Sequence, residues 1–252
     1  MTKEEALYKY SLKMGDNALV HSYRLSEWCS NAPLLEEDLA LTNFALDMIG
    51  RAQAFLTYAG QVEGKDRTDD DLAYRRSERL FTNSLITELP NGDFAHTIAR
   101  LLFVSVFERY FFTALQHSSD TTLAAIAAKT LKEVKYHATH ATEWTMRLGD
   151  GTSESKKRMQ AAINNLWMYT GELFETDEAD AMLQGLNIGV DMPPIKENWL
   201  QYIKGTLAAA NLTLPEDTFM QTGGHKGIHT EHLGHILSEM QYLQRAYPDA
   251  KW

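Results

Sequence analysis

Apolar positions recur at helical spacing along most of the chain, most clearly in Leu123–Leu148. There Leu123, Ile126, Ala127, Leu131, Val134, Ala138, Ala141, Thr145 and Leu148 mark one face. Upstream, Thr2–Glu5 reads as a capping box opening a first helix that runs to about Cys29. Leu7, Tyr10, Met14, Ala18, Leu25 and Trp28 lie near one side of it. Asn31-Ala32-Pro33 breaks the pattern, and a second helix is expected over about Leu35–Ala59, stopped by Gly60. Its inward positions are Leu41, Phe44, Ala45, Met48, Ala52, Phe55 and Ala59. So short a connection makes the two helices antiparallel neighbours.

Gln61–Asp71 is polar and reads as a surface loop, Asp71–Phe81 as a short helix, and Leu89–Asp93 as a turn. A third helix follows over about Phe94–Gln116, rich in aromatics. Ser118-Ser119-Asp120 turns the chain and caps the fourth helix, which Gly149-Asp150-Gly151 ends. Beyond it the pattern predicts helices at Ser153–Thr170, Glu172–Leu183, Ile195–Ala210 and His229–Tyr247. A loop at Gln184–Pro194 and an irregular stretch at Asn211–Gly227 separate them. No strand pattern intervenes. Two helical hairpins joined by a long crossover are the ferritin-like arrangement. The expected fold is all-α: one domain over residues 1–252, with a four-helix core over about 3–148 and a helical extension over about 152–252.

Composition changes this picture little. The chain has 252 residues, 44% hydrophobic and 23% charged, as an ordinary globular domain does. A formal charge of −10 without a basic stripe argues against nucleic acid as a partner. One cysteine, Cys29, allows no internal disulfide. The N-terminus lacks the apolar run of a signal peptide, and no apolar run is long enough to span a bilayer. The expectation is a cytoplasmic protein.

The candidate chemistry lies in the fourth helix, in Lys132–His137, KEVKYH. Carboxylate-bridged di-iron bundles carry Glu-x-x-His on two helices, because residues three apart share a face and reach one metal. Here Val134 stands three before His137. On the second helix, Met48 and Arg51 hold the same spacing beside Asp47, and an arginine repels a cation. Counting about 1.5 Å per residue from each turn places His137 level with Leu101–Ser105, and Asp47–Arg51 level with Asp16–Ala18. Pairing of Glu133 with His137 and of Asp47 with Arg51, each four apart, is the plainer expectation. An active di-iron oxygenase or ferroxidase using His137 with Glu133, Glu108 and Asp47 stays open, as does a metal-free acyl-CoA-binding module. His225, His229, His232 and His235 form a second candidate, suited at most to adventitious metal. No P-loop, G-x-S-x-G or dinucleotide fingerprint is present.

Five stretches carry a resemblance: GDNALVHSYRLSEWC, LALTNFALDMIGRAQAFLTYA, ELPNGDFAHTIAR, KEVKYHATHATEW and TGGHKGIHTEHLGHILSEMQYLQRAYP. In this order, from about Tyr8 to Trp252, the chain resembles the C subunits of bacterial phenylacetyl-CoA 1,2-epoxidases. The resemblance implies a multicomponent monooxygenase of aerobic phenylacetate breakdown that uses NADPH and O₂. It implies a paralogous A subunit holding the di-iron centre, a flavin and iron–sulfur reductase, and a ferritin-like C subunit without cofactor that binds the A subunit. Where the paralogue's motifs look like DEAGH and KEESFH, this chain reads DMIGR and KEVKYH, and Ser105 stands where the paralogue carries an acid. Asp47, Met48, Arg51, Ser105, Glu133, Val134 and His137 would then outline a degenerate site. The resemblance also places Leu80, Phe81, Thr82 and Asn83, with Ala181, Met182 and Leu183, near the acyl-CoA substrate.

Overall fold

The computed structural model describes residues 1–216, 219–248 and 250. Eleven α-helices and no strand occur among them, so the chain is all-α, as expected of a ferritin-like protein with added C-terminal helices. No helix among the described residues is long and apolar enough to cross a membrane. The chain folds as two compact units, residues 1–90 with 222–252, and residues 91–221. The C-terminal helices are shared between the units.

The first unit is built on α1 (Lys3–Ser26) and α2 (Leu35–Glu63). The capping box forms as read: Glu5 N–H donates to Thr2 Oγ1 at 3.1 Å, and Thr2 N–H donates to the Glu5 carboxylate at 2.8 Å. α1 stops three residues before Cys29. Residues beyond Ser26 tighten into i→i+3 bonds, Trp28 to Leu25 and Cys29 to Ser26, and Ser30 takes a positive φ.

Gly60 does not end α2. It lies inside the helix, where the Arg67 carbonyl oxygen comes within 2.2 Å of where a Cβ would sit. The stop is Gly64, in the left-handed conformation at φ 67°, with its N–H on the Gly60 carbonyl. Register is set by Gly15, whose missing side chain lets Leu56 lie against the α1 backbone. Following antiparallel α2 from Leu56 toward its N-terminus puts Asp47 level with Arg24. The count from the turn missed this by about one and a half helical turns, because the Glu27–Leu34 connection is not a symmetric pivot.

The crossover carries α3 (Asp69–Tyr74), a 3₁₀ turn at Glu78–Leu80 and α4 (Leu85–Glu88). The single helix expected at Asp71–Phe81 is thus shorter and begins earlier, because Thr68 and Asp71 form their own capping box. The helix expected over His229–Tyr247 starts only at Glu231. It divides into α10 (Glu231–Met240) and α11 (Tyr242–Ala246). Buried Gln241 marks the joint, its side chain donating to the Ala73 and Arg76 carbonyls at 3.0 Å each. Leu233, Ile236 and Leu237 of α10 join Leu19, Ala52, Leu56, Leu72 and Phe81 in one core. Tyr23 of α1 donates its hydroxyl to Glu239 of α10. Burial, then this hydrogen bond and the carboxylate charge, push the phenol up to about 12.

The second unit begins at α5 (Phe94–Leu115), capped by Asp93, and α6 (Thr121–Gly149), capped by Asp120. Around this hairpin lie α7 (Ser153–Trp167), α8 (Glu178–Gly185) and α9 (Met192–Ala209). The expected helix at Glu172–Leu183 is broken. A 3₁₀ turn at Gly171–Phe174 leads to extended chain, and Asp177 restarts the helix by accepting from Ala179 and Asp180 N–H. α9 starts three residues before Ile195, because Pro193 and Pro194 sit in its first turn, where no N–H is needed. Aromatics of α5 pack inside this unit: Phe103 meets Trp167 and Trp199, and the Trp199 indole donates to the Phe103 carbonyl at 2.9 Å. Asp217 and Thr218, within the irregular stretch expected at Asn211–Gly227, and Trp252, the last residue of the resemblance, lie outside the described residues.

Candidate functional site

Each unit holds part of the set singled out for metal chemistry. On α2, Met48 is wholly buried, Arg51 is buried, and Asp47 is half-buried. In the second unit Val134 and His137 are buried on α6, Glu133 is half-buried, and Ser105 on α5 donates to the Leu101 carbonyl at 2.6 Å. The donor chemistry does not fit an iron pair. A valine and a methionine occupy motif positions, and a guanidinium brings positive charge where ligands would bring negative. Among the described residues no group of three or more His, Cys, Asp or Glu could hold a metal ion.

The histidine-rich segment does other work. His225 shares a hydrogen bond with Ser84 Oγ at 3.0 Å, whereas His235 is exposed on α10, so the four histidines do not converge on one point. His229 is buried. Its Nε2 donates to the Phe81 carbonyl at 2.9 Å, which leaves Nδ1 facing Glu88 Oε2 at 2.8 Å. Glu88 also accepts from Thr230 N–H at 2.7 Å, from Thr230 Oγ1 at 2.9 Å and from Asn83 Nδ2 at 2.9 Å. Its backbone carbonyl takes two bonds from Arg24 of α1. Burial pushes the imidazole pKa down. The hydrogen bond and charge of Glu88, with the Phe81 carbonyl, outweigh it and leave the pKa raised.

Glycines bring this segment in close. A Cβ on Gly224 would lie 2.2 Å from the Asn83 carbonyl, and Gly227, at φ 71°, comes as near the Arg79 carbonyl. The TGGHKGIHTEHLG stretch is therefore a clasp on the crossover.

A second buried pair holds the crossover from α1. The Arg76 guanidinium makes a two-point contact with the Asp16 carboxylate, both side chains being almost wholly buried. Asp16 also accepts from Thr82 N–H at 2.9 Å and Oγ1 at 3.0 Å, while Asn17 accepts from Ser84 N–H. Arg76 lies over the Phe81 ring, 4.2 Å from its centroid. Of the four residues placed near acyl-CoA, Phe81 and Asn83 are thus packed inside this unit, Thr82 is bonded to Asp16, and Leu80 is exposed.

The other three lie in the second unit, on α8. Ala181 is exposed, Met182 is half-buried and Leu183 is buried, its carbonyl accepting from Ile188 and Gly189. A groove of about 750 Å³ begins at the neighbouring Gln184. It carries Glu175, Asp191 and Glu197 against one cation, Lys196, a balance that repels phosphates. The pairings of Asp16 with Arg76 and of Glu88 with Thr230 carried no signal in the sequence, because the partners lie 60 and 142 residues apart.

Comparison with known proteins adds what geometry alone cannot. A model of the family described as phenylacetic acid catabolic protein matches residues 1–252. The chain belongs to this family. Among phenylacetic acid catabolic proteins it is similar to the C subunit of the 1,2-phenylacetyl-CoA epoxidase of Escherichia coli (strain K12). The two are 48% identical over 246 residues, 98% of this chain and 99% of the relative.

Proposed function

We propose that the chain is the non-catalytic structural subunit of a phenylacetyl-CoA 1,2-epoxidase, a single ferritin-like domain working in the cytoplasm. It would bind and stabilise a paralogous A subunit, which holds the di-iron centre and performs the O₂ chemistry on phenylacetyl-CoA. A flavin and iron–sulfur reductase would supply electrons from NADPH. End-to-end similarity to the C subunit of such an epoxidase carries the reading. The substitution of ligand chemistry by Met48, Arg51 and Val134 supports it.

Taken unit by unit, an acyl-CoA would meet exposed Leu80 in the first and exposed Ala181 in the second. Phe81, Thr82, Asn83 and Leu183 shape the backbone beneath, and Met182 lies between the two roles.

Reconstitution tests the proposal. With reductase, NADPH, O₂ and phenylacetyl-CoA, the iron-bearing subunit should turn over at full rate only when this chain is added, and this chain alone should give no epoxide. Epoxidation by this chain without the iron-bearing subunit would overturn the reading.

A further inference from the structure

Where α10 and α11 meet the 3₁₀ turn of the crossover there is a pocket of about 630 Å³, all of it lined from the first unit. That is ample room for a small organic ligand. Leu237 and the Tyr242 ring give the pocket an apolar side. Its polar side rests on Gln241, which lines the pocket yet is only 1% exposed. The Gln241 Nε2 donates to the Ala73 and Arg76 carbonyls at 3.0 Å each. Carbonyls only accept, so the amide cannot be turned round, and Oε1 faces away from both. Among the described residues that oxygen accepts from no donor. A buried acceptor left so costs stability, and native folds keep few of them. Two charges of opposite sign share the pocket. Half-buried Glu78 lies close to α10, because a Cβ on Gly234 would come 3.3 Å from its Oε2. No ion pair or hydrogen bond holds the Glu78 carboxylate among the described residues. Arg245 uses Nη2 on the Arg76 carbonyl at 2.9 Å, and its other N–H groups have no partner among the described residues.

We propose that this pocket binds a free amino acid with an apolar or aromatic side chain. The α-ammonium brings a positive charge and three donors, which suit the Glu78 carboxylate and Gln241 Oε1 together. The α-carboxylate suits the guanidinium of Arg245. The side chain then lies against Leu237 and the Tyr242 ring. Opposite charges in one small pocket also discriminate. A plain amine meets Arg245 and a plain acid meets Glu78, each a like charge, whereas a zwitterion satisfies both. The site stands on the first unit alone and does not depend on the subunit reading.

Calorimetric titration of the full chain tests this with three probes: L-phenylalanine, 2-phenylethylamine, which lacks the carboxylate, and 3-phenylpropanoate, which lacks the ammonium. L-Phenylalanine should bind saturably, and the other two at least about 10-fold more weakly. E78Q keeps the shape of the side chain without its charge. It should weaken L-phenylalanine about 10-fold and leave 3-phenylpropanoate no weaker. R245Q should weaken L-phenylalanine and 3-phenylpropanoate and leave 2-phenylethylamine no weaker. Both variants should keep the unfolding midpoint of the wild type, since Gln241 still serves the Arg76 carbonyl. If R245Q unfolds, E78Q alone decides. Absence of saturable binding by L-phenylalanine up to its solubility limit would overturn the proposal. So would equal affinity for all three probes, which marks adsorption on the apolar side, or wild-type affinity for L-phenylalanine in E78Q.

Discussion

Asp16→Ala lowers the unfolding free energy by about 3–5 kcal/mol, the range for removing one partner of a buried ion pair. Most of the loss comes from Arg76, which stays buried with its charge uncompensated. The two bonds from Thr82 to the same carboxylate are lost as well, so the crossover loosens from α1. Urea unfolding followed by circular dichroism gives the number. The double variant D16L/R76M should be more stable than D16A, because an apolar pair of similar volume leaves no orphaned charge. A double variant that loses the sum of the two single losses would refute this explanation.

His229→Ala has an effect at the lower end of the same range, about 3 kcal/mol. Glu88 keeps its bonds from Thr230 and Asn83 and is only partly orphaned. The pair also makes stability depend on pH. The folded-state pKa of His229 lies above its ordinary 6.5, so the folded chain holds the proton more tightly than the unfolded one. The pair's contribution is complete below that ordinary value and is lost as pH rises through the folded pKa. Wild-type stability should therefore decline with rising pH in that window. H229Q keeps a donor toward Glu88 without a titrating group, and should flatten the decline. An equally steep decline in H229Q would remove His229 as its cause.

What could be read from the chain follows the range of the interactions. The Thr2–Glu5 box and the Asp120 cap are made within three residues, and the sequence carries them whole. Gly60 and Gly64 look alike as helix stops. Only the approach of the Arg67 carbonyl separates a packing glycine from a capping one. The acidic run after Glu172 has unbroken helical propensity, and the Asp177–Asp180 box overrides it. The level count failed because the Gly15–Leu56 contact, not the centre of the turn, sets the register.

At Met48, Arg51 and Val134 the case against iron ligands rests on residue type alone. The clasp was not legible: its histidines have metal-like spacing, and only Glu88, 141 residues from His229, reveals their task.

Iron counted in each subunit tests the central claim most directly. The copurified complex is loaded with ferrous iron and its two chains are separated without denaturation. The account predicts a di-iron complement on the partner and no stoichiometric iron on this chain. Two irons retained by this chain would contradict it.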